Sequence, residues 1–366
     1  SPIKTSDQPT SLFSVQLDFI PTSQKISIKI NIKMSPLRWG IASAGKISND
    51  FVCGLSTLPA EDHQVVAVAA RDLGSAKKFA ELHGIPNAYQ GYEALAKDPN
   101  IDIVYIGAVN TAHLEIGILM LDHGKPILCE KPLCLNEKQS KKLLEHAKSK
   151  KLFAMEAIWS RYFPAYQYLK ERIVKGDLGE IQQVDVNFGF NLQGIDRLEK
   201  KSLGGGTILD LGVYVIQVAL WAFRDAPVDI KAQGKLNSEG VDLEMKAVLK
   251  FPNGGVANIH TSGFTEQDQI AVIKGTKGTI KLNQFWCPLK MTDVDGNEKE
   301  WPLPESKVKV NFNNSTGLRY EAEEARKCIK AGLLESPDMT HEESLRIARI
   351  QDDLRRQIGV KYPEDD

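Results

Sequence analysis

A lysine, an aspartate and a tyrosine stand in two short motifs whose residue types suit proton transfer. One is Glu130-Lys131-Pro132, directly after the apolar run Ile127-Leu128-Cys129. A lysine at the carboxyl edge of an open sheet can bind a hydroxyl and hold positive charge beside an oxygen that turns anionic. The other is Gly204-Gly205-Gly206-Thr207-Ile208-Leu209-Asp210-Leu211-Gly212-Val213-Tyr214. Glycines let backbone come close to a ligand, and a helix starting near Thr207 puts Asp210 and Tyr214 at i and i+4 on one face. Ile208, Leu211, Val215, Val218 and Ala219 supply an apolar surface beside them. Free tyrosine titrates near ~10, too high for a base at neutral pH. A neighbouring ammonium favours the phenolate, so Lys131 is expected to lower the pKa of Tyr214, with Asp210 in support. Taken singly, each motif also fits a plain role, a solvated strand-end lysine or a capped amphipathic helix.

Such a pair could take the proton of an alcohol whose C–H surrenders a hydride, and the hydride then needs an acceptor. Trp39-Gly40-Ile41-Ala42-Ser43-Ala44-Gly45-Lys46-Ile47 offers a place for one. It reads G-x-A-x-x-G, a dinucleotide fingerprint in which Gly40 allows a tight turn, Ala42 admits a pyrophosphate and Gly45 lets helix pack on strand. Phosphates would rest on the free N–H groups of a helix beginning at Lys46. The following strand, Val65 to Ala70, has no polar interruption and ends in Arg71-Asp72. Arginine at that point accommodates a ribose 2′-phosphate and acidic residues favour a free hydroxyl. Arg71 therefore indicates NADP, while Asp72 leaves NAD open.

These motifs need a scaffold, and the pattern supplies one. Ile47, Phe51, Val52 and Leu55 recur at helical spacing, as do Ala76, Phe79, Ala80 and Leu82 before a stop at Gly84. Tyr92–Ala96, Leu114–Leu121 and a helix capped by Asn136 alternate with strands at Ile101–Ile106, Ile127–Cys129 and Phe153–Met155. Alternation of this kind implies a doubly wound parallel α/β sheet, a Rossmann domain over 34–156. Residues 157–366 change character: Val184–Phe188, Met245–Leu249, Val256–His260, Ala271–Ile273 and Thr279–Leu282 alternate apolar and polar residues, between turns such as Pro252-Asn253-Gly254-Gly255. They predict an α+β domain with a large, mainly antiparallel open sheet, one face covered by helices and the other available to a second copy. Tyr320–Ala331 and Glu342–Ile358 are expected to close the fold.

The order G-x-A-x-x-G, E-K-P, G-G-G-x-x-x-D-x-G-x-Y resembles the glucose-fructose oxidoreductase, inositol dehydrogenase and rhizopine catabolism family of NAD(P)-dependent sugar oxidoreductases, over nearly all the chain from Met34. Many members carry histidine where Tyr214 stands. The tyrosine, with Glu156-Ala157-Ile158-Trp159-Ser160-Arg161-Tyr162-Phe163-Pro164 and Phe285-Trp286-Cys287-Pro288, is most similar to its branch of animal dimeric dihydrodiol dehydrogenases. That branch also oxidises C1 of D-xylose with NADP. The resemblance implies Lys131 and Tyr214 as the catalytic pair supported by Asp210, and Trp159, Arg161 and Trp286 near the substrate. It implies cofactor contacts from Gly40, Ala42, Ala44, Gly45, Lys46, Ile47, Arg71, Asn110, His113, Glu130 and Lys131, and a homodimer through the C-terminal sheet. Two departures, Ala70 before the arginine and the loop Asn110-Thr111-Ala112-His113, touch cofactor contacts only. A polyol dehydrogenase and a binding-only regulator on the same fold are the alternatives.

At 366 residues the chain has length for two cores, and its net charge of −1 gives no electrostatic case for nucleic acid or an anionic membrane. Five cysteines without metal or redox spacing, and no H-E-x-x-H pair, suggest a reducing, cytoplasmic setting and no metal. No run long and apolar enough to cross a bilayer is expected. Residues 1–33 read as an extension outside the working enzyme, with Met34-Ser35-Pro36 as a natural start, although Ile26, Ile28, Ile30 and Ile32 alternate like an edge strand.

Overall fold

Strands and helices alternate strictly through the first part of the computed structural model, which describes residues 35–366. The expected edge strand at Ile26–Ile32 lies outside those residues. The order is β1 (Leu37–Ala42), α1 (Lys46–Leu55), β2 (His63–Ala70), α2 (Leu73–His83), β3 (Asn87–Gln90), α3 (Tyr92–Lys97), β4 (Ile103–Ile106), α4 (His113–Asp122), β5 (Ile127–Glu130), α5 (Glu137–Lys150) and β6 (Ala154–Ala157). All six strands pair in parallel in the order β3-β2-β1-β4-β5-β6, a Rossmann sheet. Asn136 caps α5 by accepting Gln139 N–H at 2.9 Å, and Gly84 ends α2 in the left-handed conformation. Leu82, expected on the inner face of α2, is instead 57 % exposed.

The chain continues through α6 (Pro164–Val174), β7 (Ile181–Gly189), α7 (Asp196–Glu199) and α8 (Val213–Phe223) into β8 (Asp229–Leu236), β9 (Asp242–Lys250), β10 (Val256–Ser262), β11 (Ile270–Gly275), β12 (Thr279–Asn283), β13 (Lys290–Thr292) and β14 (Glu298–Glu300). The helices α9 (Leu318–Lys330) and α10 (His341–Ile358) follow. The eight strands form one sheet in the order β14-β13-β12-β11-β7-β10-β9-β8. Every pair is antiparallel except β7 with β10, which run parallel. α8 packs on β7 and β10 over one face, whereas Lys246, Val248 and Lys250 of β9 are exposed on the other. The stretch Lys201–Phe223 is, contrary to expectation, long and apolar enough to span a bilayer, but 89 % of its most apolar 18 residues are buried inside the protein. Its apolarity is that of a core helix, clasped between sheet and α10.

The two sheets share one apolar core, which joins Trp39, Phe51 and Tyr105 to Phe163, Phe188 and Trp221. Polar contacts lock them further. Asp50 of α1 is fully buried and accepts hydrogen bonds from Asn311 N (2.8 Å), Phe312 N (2.8 Å), Asn311 Nδ2 (2.8 Å) and Ser315 Oγ (2.5 Å). α9 then packs along α1, and His63 at the start of β2 meets Glu323 at 2.8 Å.

Candidate active site

The fingerprint turn has the build of a phosphate cradle, although its residues divide the work differently from expectation. The tight turn falls on Ser43, whose φ is +94°, and not on Gly40. Gly40 lies within β1, where a Cβ would come within 2.8 Å of the Ile101 side chain, so it serves close packing beneath the loop. A Cβ on Gly45 would meet only Ser43 Oγ, at 3.7 Å, and Gly45 makes no side-chain cap to α1. There is thus room beside the N-terminal end of α1, where backbone donors and the helix dipole favour an anion. Ala42 is buried at the end of β1, Ala44 and Ile47 are half-buried, and Gly45 and Lys46 are exposed. Arg71 is exposed at the carboxyl end of β2. The carboxylate beside it is occupied: Asp72 caps α2, accepting Ser75 N at 2.7 Å and Ser75 Oγ at 2.9 Å. These residues fit a nicotinamide dinucleotide.

From the carboxyl end of β5, Lys131 reaches across to the glycine motif. Its Nζ donates to the Asp210 carbonyl at 3.0 Å and to Asp210 Oδ1 at 3.1 Å. The turn that carries it is held on every side. Lys131 N donates to Glu130 Oε2 at 3.2 Å and Leu133 N to Glu156 Oε1 at 3.0 Å. His113 lies with Nδ1 2.8 Å from the Pro132 carbonyl and Nε2 2.9 Å from that of Ala108. His113 is thus fully buried, with both ring nitrogens at backbone carbonyls. Asn110 likewise tethers the glycine turn, donating from Nδ2 to the Gly204 carbonyl at 3.1 Å.

The glycine motif does not enter a regular α-helix. Ile208–Gly212 forms a π-helical turn before α8, so the expected i, i+4 relation is replaced by a bulged one that still points Asp210 at Lys131. Asp242, buried on β9, fixes its start by accepting Thr207 Oγ1 at 2.8 Å and Ile208 N at 2.7 Å. Gly206 makes room for that carboxylate: its φ is +121°, and a Cβ would stand 2.2 Å from Asp242 Oδ1. Asp210 is pulled down to about 2: burial raises it, and the charges of Lys131 and Arg197 more than reverse that. Arg197, from the short α7, donates to the same Oδ1 at 3.0 Å.

Tyr214 is buried with Lys131 Nζ 5.1 Å from its ring centre. Its hydroxyl accepts the indole N–H of Trp159 at 2.9 Å. Burial pushes its pKa well above the usual phenol value, aided by the charge of Glu130 and opposed by the Trp159 bond. The expected lowering by Lys131 is therefore not seen; with its ammonium turned to Asp210, desolvation wins. Phe188 stands edge-on to Tyr214 (5.6 Å, 88°) and 4.7 Å from the Trp286 ring, with Phe190 5.8 Å from Trp286. Trp159 and Trp286 thus belong to the wall beside Tyr214. Arg161 does not: it is 2 % exposed, pairs with Glu343 at 2.8 Å, bonds the Gln217 and Asp338 carbonyls and stacks on Trp221. It is a core cation, correcting its expected place near the substrate.

Behind the site, Tyr105 donates to Glu130 Oε1 at 2.6 Å. Glu321 of α9 is fully buried near Glu130, with both carboxyl oxygens unpartnered. Burial, then the charge of Glu130, drive it well above the ordinary carboxylate range. Motif spacing pointed to none of Arg197, Asp242, Phe188, Phe190 or Glu321 as a site residue. The only available signal was the Phe188-Gly189-Phe190 pair, two aromatics at the end of an alternating strand.

The sequence matches the oxidoreductase family, NAD-binding Rossmann fold, over residues 37–157, and the GFO/IDH/MocA C-terminal domain over 166–281. The chain belongs to the GFO/IDH/MocA oxidoreductase family. It is 46 % identical over 331 residues to a trans-1,2-dihydrobenzene-1,2-diol dehydrogenase of Danio rerio, covering 90 % of this chain and 99 % of that one. The protein of the same name from Homo sapiens is 42 % identical over 332 residues, with the same coverage. The fold is shared with a levoglucosan dehydrogenase in complex with NADH (TM-score 0.78, 20 % identity, 89 % and 97 % of the chains). It is shared too with a 3-ketoreductase from Actinomadura kijaniata in complex with NADP (TM-score 0.75, 23 % identity, 90 % and 99 %). The family member described here is a dehydrogenase that uses a nicotinamide cofactor.

Proposed function

We propose that this dehydrogenase prefers NADP and oxidises a secondary hydroxyl on a ring, either of a trans-dihydrodiol to give a catechol or at C1 of an aldopyranose such as D-xylose to give the lactone. The observation that carries this reading is the convergence of Tyr214, Lys131 and Asp210 against the aromatic wall of Trp159, Phe188 and Trp286. A planar diene diol, or the C–H face of a pyranose, stacks well on such a wall. The names of the relatives support the diol. Arg71, with Asp72 committed to its helix cap, supports the 2′-phosphate, because guanidinium pairs with phosphate in a bidentate fork.

The cofactor, when bound, accepts the hydride that leaves the substrate carbon. The chain's own residues handle the proton. Tyr214 Oη has its acceptor side taken by Trp159 and meets the substrate hydroxyl with its remaining valence. Once Tyr214 has lost its own proton to solvent, Lys131, released from part of its hold on Asp210, stabilises negative charge on the substrate oxygen as the substrate proton passes to the phenolate. Asp210 keeps Lys131 aimed. The buried wall excludes water from the reacting carbon. We further propose a homodimer through the uncovered face of the eight-stranded sheet, where a groove of about 610 Å³ runs past Asp185, Lys231, Lys246 and His260.

Reduction of NADP⁺ and NAD⁺ is to be followed with a trans-dihydrodiol, D-xylose, D-glucose and myo-inositol. Turnover of the first two with NADP⁺ is expected. Turnover of myo-inositol alone assigns a polyol dehydrogenase, and turnover of none assigns a binding-only role.

A further inference from the structure

We infer that Arg197 is a specificity-determining residue that binds the hydroxyl next to the one being oxidised, so that the site selects vicinal diols over single alcohols. The inference rests on the functional reading above and adds a residue to it. Arg197 and Lys131 both hold Asp210 Oδ1, at 3.0 and 3.1 Å. Two cations on one carboxylate oxygen lie a few ångströms apart. The two differ in freedom. Lys131 is mostly buried, its side chain 15 % exposed, whereas that of Arg197 is 48 % exposed at the open side of the site.

Of the five N–H donors of a guanidinium, only Nη1 has a partner among the described residues. The others are left without a protein partner among the described residues, on a side chain that is nearly half exposed. A substrate that places one oxygen at Lys131 and Tyr214 brings its neighbouring ring oxygen toward those free donors. A fork fixed by Asp210 is pre-organised for that second oxygen, and a single alcohol leaves it unanswered. The short α7 that carries Arg197 is held by its own contacts. Gly194 N donates to Glu199 Oε1 at 2.9 Å, and Asn237 Nδ2 to the Glu199 carbonyl at 2.9 Å.

The test uses substrate pairs that differ by that oxygen alone: D-xylose against 2-deoxy-D-xylose, and trans-1,2-dihydrobenzene-1,2-diol against cyclohexa-2,4-dien-1-ol. Loss of a hydrogen bond from a charged donor is worth roughly 10–150-fold. In Arg197→Met the ratio of kcat/KM within each pair is expected to fall by that order, mainly through KM for the diol member, with NADPH binding unchanged by fluorescence titration. Arg197→Lys keeps the charge and loses the fork, and should lie between. Equal losses for both members of a pair in either variant would overturn the inference and leave Arg197 as a counter-charge for Asp210. Wild-type protein that turns over neither pair would instead refute the functional reading.

Discussion

Trp159 donates its indole N–H to the Tyr214 hydroxyl at 2.9 Å, from a 3₁₀ turn just after the last Rossmann strand to the first turn of α8. The bond stabilises a phenolate more than a phenol, and so acts against the burial that holds the tyrosine protonated. Trp159→Phe keeps an aromatic ring and removes the donor. The expected result is a loss of roughly 10-fold or more in kcat, the scale of a hydrogen bond to a charged acceptor. The pH dependence should also move to more alkaline values. Unchanged steady-state kinetics would reduce the indole to a wall.

Tyr214→Phe should cost on the order of 10²–10⁴ in kcat, the range of general acid–base catalysis, with NADP⁺ still bound. Lys131→Met should be severe as well, and the double variant little worse than either, because the two act as a unit. Because burial raises the phenol, wild-type oxidation should keep accelerating with pH past about 9. A plateau reached near neutrality would assign the proton to a different group.

Arg71→Ala should raise the KM for NADP⁺ and leave that for NAD⁺ nearly unchanged, by roughly 10–150-fold for a lost charged hydrogen-bonding partner. Asp72 already serves Ser75 in the cap of α2, so the variant does not free a new ribose ligand. Equal losses with both cofactors would place Arg71 outside the phosphate site.

Glu321 offers a stability measurement. Its pKa in the folded protein lies well above the unfolded value, so its contribution is fully present only below the unfolded pKa and declines as pH rises toward the folded one. Glutamine cannot ionise. Glu321→Gln should therefore unfold at a higher temperature than wild type at pH 7–8, with the difference vanishing near pH 4. A wild type that gains on the variant as pH rises would mean a charged, partnered Glu321.

What the sequence made legible follows from burial. β4 and β5 sit inside a parallel sheet, so Ile103–Ile106 and Ile127–Cys129 read as unbroken apolar runs. β8 is an edge strand, Asp229–Leu236, with no fully buried residue, and its alternation of Ile230 and Ala232 with Asp229, Lys231 and Gln233 fades at Gly234. β13 and β14 are three residues each, and β14 is charged throughout. The parallel pairing of β7 with β10 depends on register between segments some seventy residues apart, which no local spacing encodes. Lys131, Asp210 and Tyr214 were found because each lies in a motif. Arg161 was misplaced because its role is set by Glu343, 182 positions away, and Arg197 was missed because only the fold brings it to Asp210.

The buried carboxylate of Asp50 links the beginning of the chain to its last quarter. Four donors reach it from residues 311–315, so a substitution that removes one of them leaves part of a buried anion unanswered inside α1, the helix that follows the glycine turn. A substitution at Asn311 or Ser315 would thus be felt at the helix beside the glycine turn, although those residues lie far along the chain from it.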